Sequence, residues 1–190
     1  MTVKDRIKNA IRAIGDAPRG LTWSFCFLMF IYGFFLAGFC SDYWLESSIV
    51  LSGYDYRTQG LWKFCYGALG ATCCGYINEV MYVEPFLNAT RAFLVISIIP
   101  QVTCLIAICV GIFKKSYSSS KSFGGFAAAF AAFFITLAII IYGAASQDED
   151  STSIYSLSWS YALCVVSGLA YIPFCCFICR TDDYPETPTM

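Results

Sequence analysis

Residues 60–74 read GLWKFCYGALGATCC and contain the pattern on which the rest of the fold depends. Cys65 is followed by Cys73 and Cys74 across a stretch that holds Gly67 and Gly70, which is typical of two strands joined by a turn. Cysteines at this spacing form a disulfide where the chain faces an oxidising compartment. The segment therefore predicts a stapled pair of strands in which Cys65 is joined to Cys73 or Cys74.

The residues on both sides of this segment also favour β-structure. β-branched and aromatic side chains occur there in short runs interrupted by glycine, as strands require. They are Trp44, Ile49, Val50, Tyr54 and Tyr56 before the cysteines, and Tyr76, Ile77, Val80, Met81, Tyr82 and Val83 after them. We expect a small antiparallel sheet.

The composition of the whole chain indicates a membrane protein. Of its 190 residues 58% are hydrophobic and 13% are charged, whereas about 25% charged is usual for soluble domains. The sequence contains no histidine. It therefore cannot build a histidine-dependent catalytic triad or a histidine-ligated zinc or haem site. A formal net charge of −1 leaves no basic surface for nucleic acid. We expect no enzyme, no cofactor, no metal and no nucleic-acid partner.

Four segments are long and apolar enough to cross a hydrocarbon core of about 30 Å, and in lipid each must be helical. The predicted spans are residues 21–40, 92–113, 123–145 and 157–178. They leave two loops, residues 41–91 and residues 146–156, on one side of the membrane.

The positive charges predict the orientation. Arg57, Lys63 and Arg91 lie in the first loop, and the other lysines and arginines all lie at the opposite side. Because cytoplasmic segments carry the excess of lysine and arginine, both termini are predicted to be cytoplasmic and both loops extracellular. The protein is thus predicted to be a multi-pass protein of the plasma membrane, with a cytoplasmic segment at residues 1–20 and a short cytoplasmic tail at residues 181–190.

The amino-terminal segment has its own pattern. Apolar residues recur at helical spacing over residues 3–14, while Lys4, Lys8 and Arg12 take the other face. This predicts an amphipathic helix on the anionic inner leaflet, which would contact membrane lipids directly. The alternative is a disordered basic leader that only sets topology.

The residues of the first loop resemble a known signature. Trp44, then Gly60, Leu61, Trp62 and Cys65, then a second cysteine, are similar to the W, GLW, C, C pattern of the claudin superfamily, which includes peripheral myelin proteins, epithelial membrane proteins and calcium-channel gamma subunits. Arg91, at the mouth of the second span, is where these proteins carry an arginine. The resemblance covers about residues 21–180.

The resemblance implies a fold and two residue roles. The implied fold is an integral membrane four-helix bundle with a small extracellular antiparallel β-sheet, formed mainly by the first loop. The family's spacing to Arg91 implies that Cys74 rather than Cys73 pairs with Cys65. It also implies that Arg91 braces the sheet on the bundle, although Arg91 is open to a second interpretation as a snorkelling anchor at the membrane surface.

Two kinds of modification are also predicted. Cys175, Cys176 and Cys179 lie beside Arg180 at the inner end of the fourth span, where juxtamembrane cysteines are substrates for S-palmitoylation. Against this, cysteine serves elsewhere in the chain as a small apolar filler. Asn88 begins an Asn-Ala-Thr acceptor sequence for glycosylation, close to the membrane.

Two functional hypotheses follow from the resemblance. The first is a junctional or barrier role at cell–cell contacts, in which the protein assembles with itself or with other claudin-like proteins; the neutral Tyr66 and Gly75 beside the cysteines favour a barrier over a selective pore. The second is an auxiliary, gamma-like subunit of an ion channel or receptor, which the short second loop and the long amino-terminal segment favour. A lipid-handling role like that of the myelin proteins shares the same residues. Pro188 near the carboxyl end argues against a PDZ scaffold as partner.

Overall fold

A computed structural model describes residues 3–5, 7–8, 12, 19–47, 54–68, 71–80, 83–114, 117–148 and 156–180. Its helices are α1 (Arg19–Cys40), α2 (Ile77–Val80), α3 (Pro85–Lys114), α4 (Tyr117–Asp148) and α5 (Trp159–Arg180). Its strands are β1 (Leu45–Ser47), β2 (Tyr54–Gln59), β3 (Lys63–Ala68), β4 (Ala71–Tyr76) and β5 (Ser156–Leu157).

Four helices are long and apolar enough to cross a membrane, namely α1, α3, α4 and α5. They form a bundle in which α4 packs between α3 and α5, and α1 closes the ring against α5 and α3. Small residues of α4, among them Ala128, Ala131 and Ala138, are fully buried, and small side chains let lipid-embedded helices approach closely. The predicted four-helix bundle is confirmed.

The helices differ from the predicted spans at their ends. α3 begins at Pro85, so residues 85–91 are helical rather than part of the first loop. Proline suits this place, because the first turn of a helix leaves its N–H groups unpaired in any case. The fourth helix begins at Trp159, not at residue 157, because Leu157 belongs to β5. Hydropathy locates the apolar part of a helix, whereas hydrogen bonding sets its ends.

All five strands form one antiparallel sheet in the order β4-β3-β2-β1-β5. The small sheet predicted from the first loop is therefore confirmed, but the second loop contributes β5, which pairs with β1 through Leu45 and Leu157. One sheet thus connects both loops over the same end of the bundle.

One predicted strand is wrong. Ile77 and Val80 lie in the short helix α2. The chain must turn there from β4, at the edge of the sheet, towards α3. The N–H of Ile77 donates to the carbonyl of Trp62 (3.1 Å), and the Ile77 side chain is 2% exposed, so burial fixes this turn instead of strand pairing. Ile49, Val50, Met81 and Tyr82 were also predicted in strands and lie outside the described residues.

The core of the bundle contains a chain of polar side chains. Gln101 of α3 donates through Nε2 to the hydroxyl of Ser97 (3.1 Å), and its Oε1 accepts from the hydroxyl of Tyr171 on α5 (3.1 Å). All three side chains are fully buried. Polar groups in a membrane-spanning bundle are stable only when other protein groups meet their hydrogen bonds, and this chain links α3 to α5.

At the amino terminus, residues 3–5, 7–8 and 12 are helical and their side chains are exposed. The rest of the amphipathic helix predicted over residues 3–14, and the tail at residues 181–190, lie outside the described residues. Contact of the amino-terminal segment with the inner leaflet stays a prediction.

Candidate functional site

The candidate site is the junction between the sheet and the bundle, where the signature residues meet. Its first element is a disulfide between Cys65 on β3 and Cys74 on β4, with sulfur atoms 2.05 Å apart. The two residues lie directly opposite each other in the strand register, with Cα atoms 4.2 Å apart. Cys73 lies opposite Tyr66 and is a free, exposed thiol. Adjacent residues of a strand point to opposite faces, so only one of Cys73 and Cys74 can lie on the same face as Cys65. The register selects Cys74, which is the partner that the resemblance implies.

The Gly60-Leu61-Trp62 segment forms the tight connection between β2 and β3. The N–H of Gly60 donates to the carbonyl of Lys63 (2.9 Å), and the Leu61 side chain is fully buried. A Cβ at position 60 would lie 2.6 Å from the Cα of Asp42 and 2.6 Å from the carbonyl oxygen of Ser41. Only glycine fits here, because the backbone leaving α1 passes against the turn.

The two signature tryptophans both bind the end of α1. Trp44 donates through Nε1 to the carbonyl of Gly38 (2.8 Å), and Trp62 donates through Nε1 to the carbonyl of Phe39 (3.1 Å). Carbonyls in the last turn of a helix lack partners within the helix, so the indoles cap it. Both tryptophans thereby fix the sheet to the first helix.

Trp44 also contacts the other side of the bundle. Its ring lies edge-on to Tyr142 of α4 (centroids 4.8 Å apart) and to Tyr161 of α5 (5.8 Å). Trp44 and Tyr142 are fully buried. One side chain from the start of the first loop thus contacts three of the long helices, and edge-to-face ring pairs add specific geometry to the apolar contact.

Arg91 connects α3 to the same turn. Its Nε donates to the carbonyl of Leu61 (2.6 Å), and its Nη1 donates to the side-chain oxygen of Asn78 on α2 (3.0 Å). The guanidinium also lies over the Trp62 ring, 5.3 Å from the centroid. Arg91 is only 7% exposed. A snorkelling arginine would extend its charge to water, whereas this one points into the protein and braces the sheet.

The glycosylation candidate Asn88 lies in the first turns of α3. Its side-chain oxygen accepts from Nη1 of Arg91 (3.3 Å). Thr90, the third residue of the acceptor sequence, is fully buried. A helical acceptor sequence with a buried threonine is a poor substrate in the folded protein, so the structure gives a physical reason against modification of Asn88.

The three cysteines at the far end of α5 differ from one another. Cys175 is half-buried and donates through Sγ to the carbonyl of Gly125 on α4 (3.3 Å). Cys176 and Cys179 are exposed. Within the described ranges, no group of three histidine, cysteine or acidic side chains is placed to hold a metal ion. The three cysteines therefore differ in the exposure of their thiols.

Sequence reasoning missed two features. The pairing of β5 with β1 is supported by Ser158, whose hydroxyl donates to the carboxylate of Glu46 (3.1 Å); the short run Ser156–Leu157 carried no strand signal strong enough to find it. The bond between Gln101 and Tyr171 did have a signal, since a glutamine inside an apolar span points to a buried polar contact.

The fold and the junction define a class of protein. The protein has four apolar helices under an antiparallel sheet, a disulfide that joins β3 to β4, and two tryptophans bound to the end of the first helix. These are the features of a claudin-like tetraspan membrane protein. The model of the PMP-22/EMP/MP20/Claudin family matches residues 21–179, and this chain belongs to that family. No curated protein matches the chain significantly in sequence.

Proposed function

We propose that this protein is a non-enzymatic component of cell–cell contacts, where its sheet forms an adhesive or barrier contact with copies of itself or with other claudin-like proteins. One observation carries this proposal. Among the strands that the structure describes, β4 lies at one edge of the sheet, and its residues Ala71, Thr72, Cys73 and Cys74 are all exposed. An exposed edge strand is a template for pairing with another chain, and the junction holds this edge rigidly over the bundle.

The orientation of the sheet supports the proposal. The excess of lysine and arginine on the side of the termini supports a topology with both termini in the cytoplasm and the sheet outside. A disulfide in the sheet agrees with this, since disulfides persist on the oxidising side of the membrane. We therefore propose a plasma-membrane location with the edge strand facing the extracellular space.

The residues around the disulfide favour a barrier over an ion-selective pore. Tyr66 and Gly75, the neighbours of the two half-cystines, carry no charge, and the Phe64 and Tyr66 rings lie side by side with centroids 5.9 Å apart. Selection among ions requires charge near the path. Glu79 of α2 is exposed at this end of the molecule and is the residue to replace if a conductance is found.

The test is expression of the protein alone in cells that lack junctions. We expect enrichment at contacts between two expressing cells, and loss of that enrichment in Ala71→Lys, because a lysine on an edge strand blocks pairing. Ser156→Lys, on the opposite edge of the same sheet, is the matched control and should keep the enrichment. A uniform distribution of the unaltered protein would contradict the contact role.

A second candidate function is an auxiliary subunit of an ion channel or receptor. The observation that favours it is the short second loop: only residues 149–155 separate α4 from β5, and β5 is held in the sheet. Little of that loop is left to reach a neighbouring cell. Two measurements distinguish the auxiliary role from the contact role. An auxiliary subunit should remain diffuse in the expression test above, and on purification in mild detergent it should bring a large channel or receptor with it.

A further inference from the structure

Helices α3 and α4 enclose an apolar groove on the outer surface of the bundle. It has a volume of about 360 Å³, and one polar side chain, that of Thr103, contributes to its lining. The lining residues that project most are Ile99 and Phe126, both 70% exposed, together with Phe123 and Phe130. The groove lies within the membrane-spanning parts of both helices.

A second cavity continues the groove towards the end of the bundle opposite the sheet. Its volume is about 500 Å³, and it shares Thr103 and Phe123 with the first. Its lining differs in character, since it adds the hydroxyls of Ser119 and Ser120 at the start of α4. The two cavities share lining residues, and the groove they form is apolar in the middle of the bundle and carries two serine hydroxyls at its end.

The length of this groove matches one leaflet. It extends along α3 from Ile96 to Val110, which at 1.5 Å per residue is about 21 Å. Half of the hydrocarbon core of a bilayer measures about 15 Å. The groove can therefore hold one acyl chain over its whole depth and still reach the headgroup region.

The charge at the polar end selects the kind of lipid. Lys114 ends α3 and Lys115 follows it in the sequence, and no aspartate or glutamate occurs between residues 103 and 134. Clusters of lysine at the membrane surface attract anionic headgroups. A neighbouring protein helix would match the apolar part of the groove but not its hydroxyl-lined end, which lies where the lysines follow α3 in the sequence.

We propose that the groove between α3 and α4 binds a single anionic phospholipid. One acyl chain lies against the phenylalanines of α4, and the headgroup lies at Ser119 and Ser120, near the end of α3. With the topology proposed above, this is a lipid of the cytoplasmic leaflet, where anionic lipids are concentrated. The site is distinct from the edge strand and does not depend on its contact role.

The test uses the full chain in phosphatidylcholine nanodiscs with a trace of phosphatidylserine that carries a photoactivatable group in its acyl chain. We expect labelled peptides from the facing sides of α3 and α4, and a preference over the matching phosphatidylcholine probe of about fivefold for each lysine engaged. Unlabelled phosphatidylserine should displace the probe.

Two pairs of variants locate the contact. Ser119→Glu places a negative charge at the headgroup and should abolish the preference for phosphatidylserine, whereas the neutral Ser119→Gln should keep it. Phe130→Ala removes one wall of the groove and should reduce labelling severalfold, whereas Phe177→Ala, on the exposed face of α5, should not. Since Ser119 is exposed, its variants keep the fold, which their unfolding temperatures check.

Three results would overturn the proposal. The first is equal labelling by the phosphatidylserine and phosphatidylcholine probes. The second is labelling that is spread over all four long helices. The third is a cross-linker at position 126 that, in cells, traps a protein instead of a lipid. None of them bears on contact enrichment, so failure of the lipid site is distinguishable from failure of the proposed function.

Discussion

The Nε of Arg91 lies 2.6 Å from the carbonyl oxygen of Leu61, so that a membrane-spanning helix donates a charged hydrogen bond to the turn at the centre of the sheet. The same guanidinium covers the ring of Trp62, whose indole caps the first helix. Through these contacts α3, the sheet and α1 become one rigid unit.

Arg91→Lys tests this unit. Lysine keeps the charge but lacks the planar fork that reaches Leu61 and Asn78 together. Because a hydrogen bond from a charged group contributes about 1.5–3 kcal/mol, we expect a lower unfolding temperature in detergent and reduced delivery to the cell surface. Arg180→Lys, at the exposed end of α5, is the control and should behave like the unaltered protein. Equal stability of the two variants would mean that Arg91 is not a brace.

The disulfide predicts a contrast between adjacent cysteines. Cys65→Ser and Cys74→Ser should each lower stability by about 2–5 kcal/mol, as loss of a disulfide from a small extracellular domain does. Cys73→Ser should leave stability unchanged because that thiol is free. Unfolding in detergent measures the stability of each variant, and mass spectrometry of the non-reduced protein identifies the paired cysteines. A Cys73→Ser variant that fails like Cys74→Ser would show that the pairing is misassigned.

The end of the first helix tolerates no added methyl group at Gly38. A Cβ there would lie 2.6 Å from the carbonyl oxygen of Ser160 and 2.7 Å from the sulfur of Cys164. We therefore expect Gly38→Ala to lower the free energy of unfolding by about 1–3 kcal/mol, the usual effect of overpacking. Gly33→Ala, on the same helix, is the control: nothing lies within 4 Å of its added Cβ. That variant should be neutral or slightly more stable, since alanine favours helix by up to about 1 kcal/mol.

Acylation at the end of α5 should depend on exposure. Cys176 and Cys179 are exposed, whereas Cys175 is half-buried and bonded to Gly125. We expect acyl exchange labelling to disappear in the double variant Cys176→Ser/Cys179→Ser and to persist in Cys175→Ser. Labelling that is lost only with Cys175 would contradict this assignment.

Some elements could be predicted because their signal is local. The four spans are continuous apolar runs, and lipid permits only helices for such segments. The strands β3 and β4 follow from the spacing of Cys65, Cys73 and Cys74 across a stretch that holds Gly67 and Gly70. The resemblance singled out Arg91 at the mouth of the second span, but it did not identify the groups that accept its hydrogen bonds.

Other elements depend on residues far apart in the chain. Ser156–Leu157 becomes a strand only because β1 offers it an edge. Ile77 and Val80 have the composition of a strand, yet they form α2 because the sheet ends at Tyr76 and the chain must turn there.

The sequence by itself determined the membrane class, the number of spans and the presence of a stapled hairpin, since these depend on composition and on spacing within one segment. Only the tertiary structure decided where α3 begins and which cysteines of α5, Cys176 and Cys179, are exposed. It also decided that α3, from Ile96 to Val110, and the start of α4 enclose a groove. Those features arise where two elements meet, and their energies depend on distances between side chains that no single segment encodes.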